Sequence, residues 1–274
     1  MSAISGDPAV ISAAARARRA GRQPFHHSNW MYLVSIVSML VLWQLVASLF
    51  FRPEFFPTPL IVVEKGWELV SDGSIWGHIG VSLARIMSGF AIGSLIAAPI
   101  GLLMGSFKPI RIFFDPYTQF FRFIPSIAWL TPAVIWFGIG ETPKVLIIVY
   151  TTVFIVIINT IVGVSNVSEN KLWAGRCLGA NARQIFFHVT LPATLPFILT
   201  GMRLAMGNSF ATVVAAEMIA ADRGIGFLIF NTRLWMATDI IFLAIVLLGV
   251  LGFTTDRIFR ILIRRFARQY GPIE

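Results

Sequence analysis

Hydrophobic positions in this chain come in long unbroken blocks rather than alternating with polar ones. Six blocks can each cross roughly 30 Å of hydrocarbon: residues 31–51, 79–105, about 113–138, about 144–164, about 197–220 and about 238–258. No run of any length alternates with period two. The expected class is therefore an all-α integral membrane protein with six transmembrane helices. The third block is interrupted by Pro116, Pro125 and Pro132. Proline removes a donor from the helical ladder, so Pro125 and Pro132 predict a kinked span. Gly89, Gly93, Ala97 and Gly101 repeat every fourth residue in the second block. Such a small-residue stripe lets a neighbouring helix approach closely.

Two segments between blocks carry helix signals of their own. Thr58-Pro59 reads as an N-cap followed by proline at the first helical position. Leu60, Val63, Trp67 and Val70 then recur at helical spacing and predict a short surface helix that stops at Asp72-Gly73. Between blocks four and five lies AGRCLGANARQIFFHVTLPATLP, residues 174–196. Ser168 with Glu169 predicts a helix start, Gly179 a stop, and Asn181 the cap of a second short helix running to about Val189, with a turn at Leu191-Pro192. The result is a helix–glycine–helix pair. Its apolar residues Trp173, Leu178, Ile185, Phe186 and Phe187 suggest that something covers it.

Composition agrees with the pattern. Hydrophobic residues make up 57% of the 274 and charged residues 13%, against about 25% charged in a soluble domain. The net charge is +9, and its distribution matters more than its sum. Placing the N-terminus inside puts fourteen Lys and Arg on the cytoplasmic side, including Arg16, Arg18, Arg19 and Arg22 and the group Arg257 to Arg268. Five lie outside (Arg52, Lys65, Lys144, Arg223, Arg233) and three fall within spans (Arg85, Arg122, Arg203). This is the positive-inside pattern, with both termini cytoplasmic and an even number of spans. The charge is thus a topology signal and not a nucleic-acid footprint. The block 31–51 is too long for the apolar core of a signal peptide, so it is expected to remain as an uncleaved first helix.

The expected organisation is a basic cytoplasmic tail over 1–30, a transmembrane domain over 31–258 with a cytoplasmic loop at 166–192, and a second basic tail over 259–274. One cysteine, Cys177, excludes an internal disulfide. No Walker A sequence and no HExxH occurs, and His26, His27, His78 and His188 make no metal-ligand spacing. No nucleophile–base set suggests a membrane-embedded enzyme. A path for a solute, powered elsewhere, is the remaining class.

The loop resembles a family signature. It reads Trp173-Ala174-Gly175, three residues, Gly179, nine residues, then Val189-Thr190-Leu191-Pro192. The membrane subunits of bacterial ABC importers carry an EAA loop: glutamate-alanine-alanine, three residues, glycine, nine residues, isoleucine-x-leucine-proline. The spacing matches throughout; Trp173 replaces the acid and Gly175 the second alanine. FFPTPLIVVEKGWELVSDGSIWGHIGVSLARIMSGF, DPYTQFFRFIPSIAWLTPAVIWFGIGETPK and GMRLAMGNSFATVVAAEMIAADRGIGFLI are similar to the nitrate, sulfonate, taurine and bicarbonate branch. The resemblance implies a type I importer permease fold in the bacterial inner membrane and a homodimer of permeases. It also implies two cytoplasmic ATPase subunits, which bind the ATP and magnesium, and a periplasmic or lipid-anchored substrate-binding protein. No cofactor is expected on this chain. Ala174, Gly175, Cys177, Leu178, Gly179, Ala180, Asn181, Arg183, Leu191 and Pro192 would dock the ATPase, with the segment around Gly179 as the coupling helix. The substrate implied is a small anion or organic acid, with pyrimidine-type or aromatic compounds open as well.

Ionisable residues within spans are candidate functional groups. Arg122, Pro125, Ser126, Trp129 and Thr131 surround the proline breaks and form the candidate translocation path, with Arg203 and Glu217 as further intramembrane charges. Asp115 lies two helical turns before Arg122 and offers it an ion pair instead. Arg203 and Glu217 are too far apart along one helix to pair, so each needs a partner on another. Arg85 either snorkels to the outer interface or serves an outer gate. The rival class is a secondary transporter or channel needing no ATPase. It predicts inverted repeats and midplane acids, neither of which the sequence carries.

Overall fold

The computed structural model describes residues 29–266, and no strand occurs among them. It divides into two units at Phe51 and Arg52. In the first, α1 (Asn29–Phe50) is a single 22-residue helix, about 33 Å long at 1.5 Å per residue. That length matches a hydrocarbon core, and its apolar side chains are exposed along most of its length.

The second unit begins with α2 (Pro59–Ser71), capped as expected: Thr58 Oγ1 accepts from the Ile61 N–H. Gly73, at φ +80°, turns the chain into α3 (Ser74–Ser106). Next come α4 (Lys108–Phe121), a 3₁₀ turn over Ser126–Trp129 and α5 (Leu130–Phe137). Then follow α6 (Glu141–Ser165), α7 (Glu169–Cys177) and α8 (Ala182–Ile185). Finally, α9 (Leu191–Ala220), α10 (Ile225–Thr232) and α11 (Thr238–Phe266) complete the unit. Among the described residues five helices are long and apolar enough to cross a membrane, or six if the bent pair around residue 122 counts as one span.

The centre is α6, flanked by α3 and α9. Ile86, Phe90, Ala97 and Met104 of α3 meet Ile148, Val156, Ile157 and Ile161 of α6, and Ala205, Met206 and Val213 of α9. The small-residue stripe sets how closely α3 and α6 pack. A Cβ added at Gly89, Gly93 or Gly101 would lie 2.6 or 2.7 Å from Ile148, Thr152 or Thr160 respectively. The same relation holds on the other side, where Gly201 of α9 meets Asn159 of α6 at 2.7 Å. Lipid tails are as apolar as leucine, so close backbone packing of this kind supplies the cohesion that water expulsion supplies elsewhere.

Two expected boundaries need correction. The third block is not one kinked helix: α4 and the segment Ser126–Phe137 meet at 88°. The break falls at 122–125, and Pro125 sits in an extended-type conformation (φ −58°, ψ 134°). Pro132 does not contribute to it. It is the third residue of α5, where its missing N–H would have had no intrahelical partner. The chain also does not turn at Leu191-Pro192. Phe186–Thr190 forms a π turn, with the Leu191 N–H donating to the Phe186 carbonyl five residues back. Pro192 lacks an N–H for the regular ladder, and the wider turn before it lets α8 run on into α9 without a break.

Candidate functional site

Two ends of this bundle carry chemistry. At one end lies the helix–glycine–helix pair. Ser168 starts α7 with its backbone carbonyl, which accepts from Lys171 N–H at 3.0 Å, and its side chain makes no cap bond. Gly179 ends the helix at φ +76°. The Ala180 N–H reaches the Gly175 carbonyl (3.0 Å) and the Gly179 N–H the Arg176 carbonyl (2.9 Å). This paired closure requires a left-handed residue and so favours glycine. Asn181 caps α8 by accepting from Gln184 N–H, while Gln184 Oε1 accepts from Asn181 N–H (2.8 Å). The role of Gln184 is a reciprocal cap that the sequence reading missed, although an Asn followed three residues later by Gln signals it.

The pair presents a knob. Leu178 is 88% exposed and Trp173 58%, and Ala174, Cys177, Gly179, Asn181 and Arg183 are exposed beside them. Gly175, Ala180, Leu191 and Pro192 are half-buried. Arg176 lies over the Trp173 ring (5.4 Å to the centroid) and Arg183 over Phe187 (6.0 Å). A Cβ at Gly175 would stand 3.5 Å from Ile185, so an alanine would fit where this chain has glycine. Behind the knob a cleft of about 530 Å³ separates it from the ends of α3 and α6, lined by Ser106, Val164, Leu172, Arg176 and Ile185 among others.

At the opposite end an ion-paired cluster joins four helices. Arg85 of α3 grips Glu141 of α6 with two bonds, Nε–Oε2 at 2.5 Å and Nη2–Oε1 at 2.6 Å. Its Nη1 donates to Glu217 Oε1 of α9 (2.8 Å) and to the Arg223 carbonyl (2.7 Å). Glu217 is fully buried. Its carboxylate also accepts from Ser82 Oγ (2.8 Å) and from the Gly226 N–H (2.9 Å) at the start of α10. Ser82 Oγ in turn accepts from Ile225 N–H at 2.9 Å. Gly224 adopts φ +128°, and a Cβ there would overlap the Glu217 carboxylate. Every charge in this cluster has a partner, which an intramembrane site requires.

The structure thus supplies partners the sequence could only demand. Arg85 does not snorkel; it is 3% exposed and turned inward. Glu217, expected on the path, presents no surface and instead braces α3, α9 and α10. Arg203 pairs with Asp256 of α11 (Nε–Oδ1 2.6 Å), which Arg260 also contacts at 2.6 Å. Arg122 forms no ion pair with Asp115 among the described residues: it is the C-cap of α4, its N–H still bonded to the Thr118 carbonyl, and two helical turns, about 10 Å, separate the two positions. Its guanidinium lies over Phe123, 4.7 Å from the centroid. Arg122, Pro125 and Thr131 are exposed, and Ser126 and Trp129 half-buried. The elbow is pinned from α6 by Tyr150, whose hydroxyl donates to the Phe121 carbonyl at 2.5 Å. On its far side it carries exposed Phe113, Tyr117, Phe120, Phe123 and Trp136.

Comparison with known proteins agrees with this geometry. Residues 89–268 match the family described as binding-protein-dependent transport system inner membrane component. The taurine transport system permease protein TauC of Escherichia coli is 35% identical over 260 residues, 92% of this chain and 94% of that protein. The putative aliphatic sulfonates transport permease protein SsuC of Bacillus subtilis is 31% identical, covering 98% of each chain. The nitrate import permease protein NrtB of a Synechocystis strain is 31% identical over 82% of this chain and 84% of its own. Among solved structures, the inward-facing MetNI methionine ABC transporter aligns with a TM-score of 0.63 at 16% identity, over 73% of this chain and 99% of that one. An amino acid ABC transporter aligns at 0.55 and 18% identity, over 77% and 97%. These two show a shared fold, that of type I importer permeases. The chain belongs to the family of inner membrane components of binding-protein-dependent transport systems, and is a multi-pass permease subunit of an ABC importer that works with a separate ATPase and a substrate-binding protein.

Proposed function

We propose that this subunit forms half of a homodimeric path for a small sulfonate or oxyanion, and that the knob at 166–192 is its coupling element. The observation that carries the reading is the knob itself. It is a rigid helix–glycine–helix unit, closed by paired hydrogen bonds at both ends of its turn, with Leu178 88% exposed at its tip. An apolar side chain so exposed on a capped, ordered element fits a groove in a partner. The partner is the ATPase, which holds the ATP and magnesium; this chain binds neither. Ala174, Gly175, Cys177, Leu178, Gly179, Ala180, Asn181, Arg183, Leu191 and Pro192 form or support the docking surface.

The bent pair α4–α5 counts as one span in this reading, giving six, with both termini cytoplasmic. The fourteen-to-five excess of Lys and Arg supports that orientation. The membrane domain covers 31–258 and basic tails flank it at 1–30 and 259–274. The helix α11 continues to Phe266, so part of the second tail is helical. In this reading the exposed aromatic face of the elbow meets a second copy, and Arg122, Pro125, Ser126, Trp129 and Thr131 lie at the path between protomers. Substrate arrives on the binding protein at the end carrying Glu141 and Arg223. ATP binding draws the two knobs together and reopens the path outward, and hydrolysis resets it. The relatives named for taurine, aliphatic sulfonates and nitrate support the substrate class.

The test is co-purification of the tagged chain from its own membrane in mild detergent. Wild type brings down an ATPase, and Leu178→Asp, a change at an exposed tip, loses it while remaining monodisperse. A well-folded wild type that brings down no ATPase would return the ATPase-independent transporter or channel to the front.

A further inference from the structure

Most charges at membrane depth in this structure are paired. Arg85, Glu141, Glu217 and Lys144 share one cluster, in which Lys144, 2% exposed, donates to Glu141 Oε1 at 3.1 Å. Arg203 has Asp256. The exception is α4. Lys108, Arg111, Asp115, Gln119 and the C-cap Arg122 follow one another at spacings of three or four residues and so share one face. Lys108, Arg111, Gln119 and Arg122 are exposed and Asp115 is half-buried. Among the described residues none of the four charges has an ion-pair partner. Phe113, Tyr117 and Phe120 are exposed on the far side of the helix, and Ile110 packs against the core between them and the stripe.

Two contacts fix how deep this stripe runs. At the end of α3 a Cβ on Gly105 would stand 2.7 Å from Val164 of α6. At the end of α4 the Phe121 carbonyl accepts from Tyr150 of α6. From residue 108 to 121 α4 rises about 20 Å, and from 150 to 164 α6 rises about 21 Å. The lengths agree, so α4 stands alongside α6 and does not lie flat on the end of the bundle. A charged face at that depth is too costly to leave in lipid. A lipid headgroup answers Lys108 and Arg111 but not Gln119 and Arg122, about 17 and 21 Å further along. Nor does the same stripe of a second copy neutralise it, because three cations share one acid and a two-fold contact keeps that ratio. Water remains. A cavity of about 490 Å³ lies along the stripe, lined by Gly105, Ser106, Lys108, Arg111, Ile112 and Asp115. The cleft behind the knob shares Gly105 and Ser106 with it and adds Arg176. We infer that this face of α4 lines the cytoplasmic half of the path, a wetted wall whose excess of cations draws a small anion toward the cytoplasm. The inference rests on the importer reading and adds Lys108, Arg111, Asp115 and Gln119 to its path.

The test is thiol labelling of Gln119→Cys in the permease–ATPase complex, in inside-out vesicles. The probes are two methanethiosulfonates of similar size, one ending in a sulfonate and one in a trimethylammonium. Rates are referred to those of a free thiol, and peptides are resolved by mass spectrometry so that Cys177 is counted separately. The expected result is labelling at 119 with the anionic reagent favoured about ten-fold, as a focused positive potential requires. Phe113→Cys, on the far side of α4, reacts at least several-fold more slowly. Adding Lys108→Gln and Arg111→Gln, both exposed changes, halves the preference or more. ATP with vanadate, which holds the ATPase dimer closed, slows labelling at 119 several-fold. Should Gln119→Cys fail to give a monodisperse complex, Ile112→Cys, exposed on the same cavity, carries the test. No labelling at 119, equal rates at 119 and 113, no preference for the anionic reagent, a preference untouched by the double change, or indifference to ATP and vanadate each overturns the inference. ATP hydrolysis by the same vesicles separates the two readings. An active, associated ATPase beside an unlabelled or charge-blind stripe sinks the stripe alone, whereas no associated ATPase sinks the importer reading first.

Discussion

Arg85 and Glu217 stand 132 positions apart in the chain and meet at 2.8 Å inside the bundle, both almost wholly buried. Around them Ser82, Glu141, the Arg223 carbonyl and the Gly226 N–H complete the bonding. The pair ties α3 to α9, and through Gly226 to the start of α10. Breaking one side leaves a buried charge with part of its shell missing, which costs about 3–5 kcal/mol. Glu217→Ala therefore lowers the melting temperature of the detergent-solubilised subunit sharply. A swap of the two charges does not rescue it, since Ser82 and the Gly226 N–H both donate toward position 217. Full recovery in the swapped variant would contradict this account of the cluster.

The pair Arg203–Asp256 provides the contrast. Its side chains are 37% and 33% exposed, so a charge left without its partner can reorient toward the interface, and breaking the pair costs less than breaking the wholly enclosed one. Asp256→Asn is expected to shift the melting temperature by much less than Glu217→Ala, measured side by side in one detergent. Equal shifts would mean that burial does not set the difference.

Close packing of α3 on α6 gives a third expectation. Gly93→Ala drives a Cβ to 2.7 Å from Thr152 and 3.0 Å from a backbone carbonyl, an overpacking that costs about 1–3 kcal/mol. Gly77→Ala meets nothing within 4 Å and is helix-favouring by up to about 1 kcal/mol. The two variants should move thermal stability in opposite directions. If Gly93→Ala is neutral, the stripe does not set the helix separation.

The reciprocal cap at Asn181 and Gln184 orders α8 without touching the membrane core. Asn181→Ala removes about 1 kcal/mol of local helix stability. It is expected to leave global melting unchanged and to raise amide hydrogen exchange over 182–187. Exchange unchanged there would show that the π turn and α9 hold the helix without its cap.

Much of this could be read from the residues, because the signals involved are local. Span positions follow from apolar block length, the start of α2 from Thr58-Pro59, and the Gly179 stop from the need for a left-handed residue. The stripe at Gly89, Gly93 and Gly101 announced a close helix contact, though not that α6 would make it. What was hidden is long-range. Nothing near Glu217 names Arg85, and nothing near Arg203 names Asp256. The π turn before Pro192 was missed because proline after a short helix reads as a turn unless the widened ladder is considered. The elbow at 122–125 looked like a kink because length and apolarity are the same for a kinked span and for two helices at a right angle. Lys144 read as one more outside charge, since its burial depends on α5 and the end of α9 folding over it.

The account turns on the knob at 166–192 being cytoplasmic and covered by the ATPase, and the chain carries its own probe. Cys177 is its single cysteine and is exposed on that knob. The measurement is labelling of Cys177 by a membrane-impermeant maleimide in intact spheroplasts and in inside-out vesicles, before and after the ATPase is stripped away. The predicted result is no labelling in spheroplasts, weak labelling in vesicles with the ATPase in place, and strong labelling once it is removed. Labelling from the outside of intact spheroplasts, or equal labelling with and without the ATPase, would contradict it.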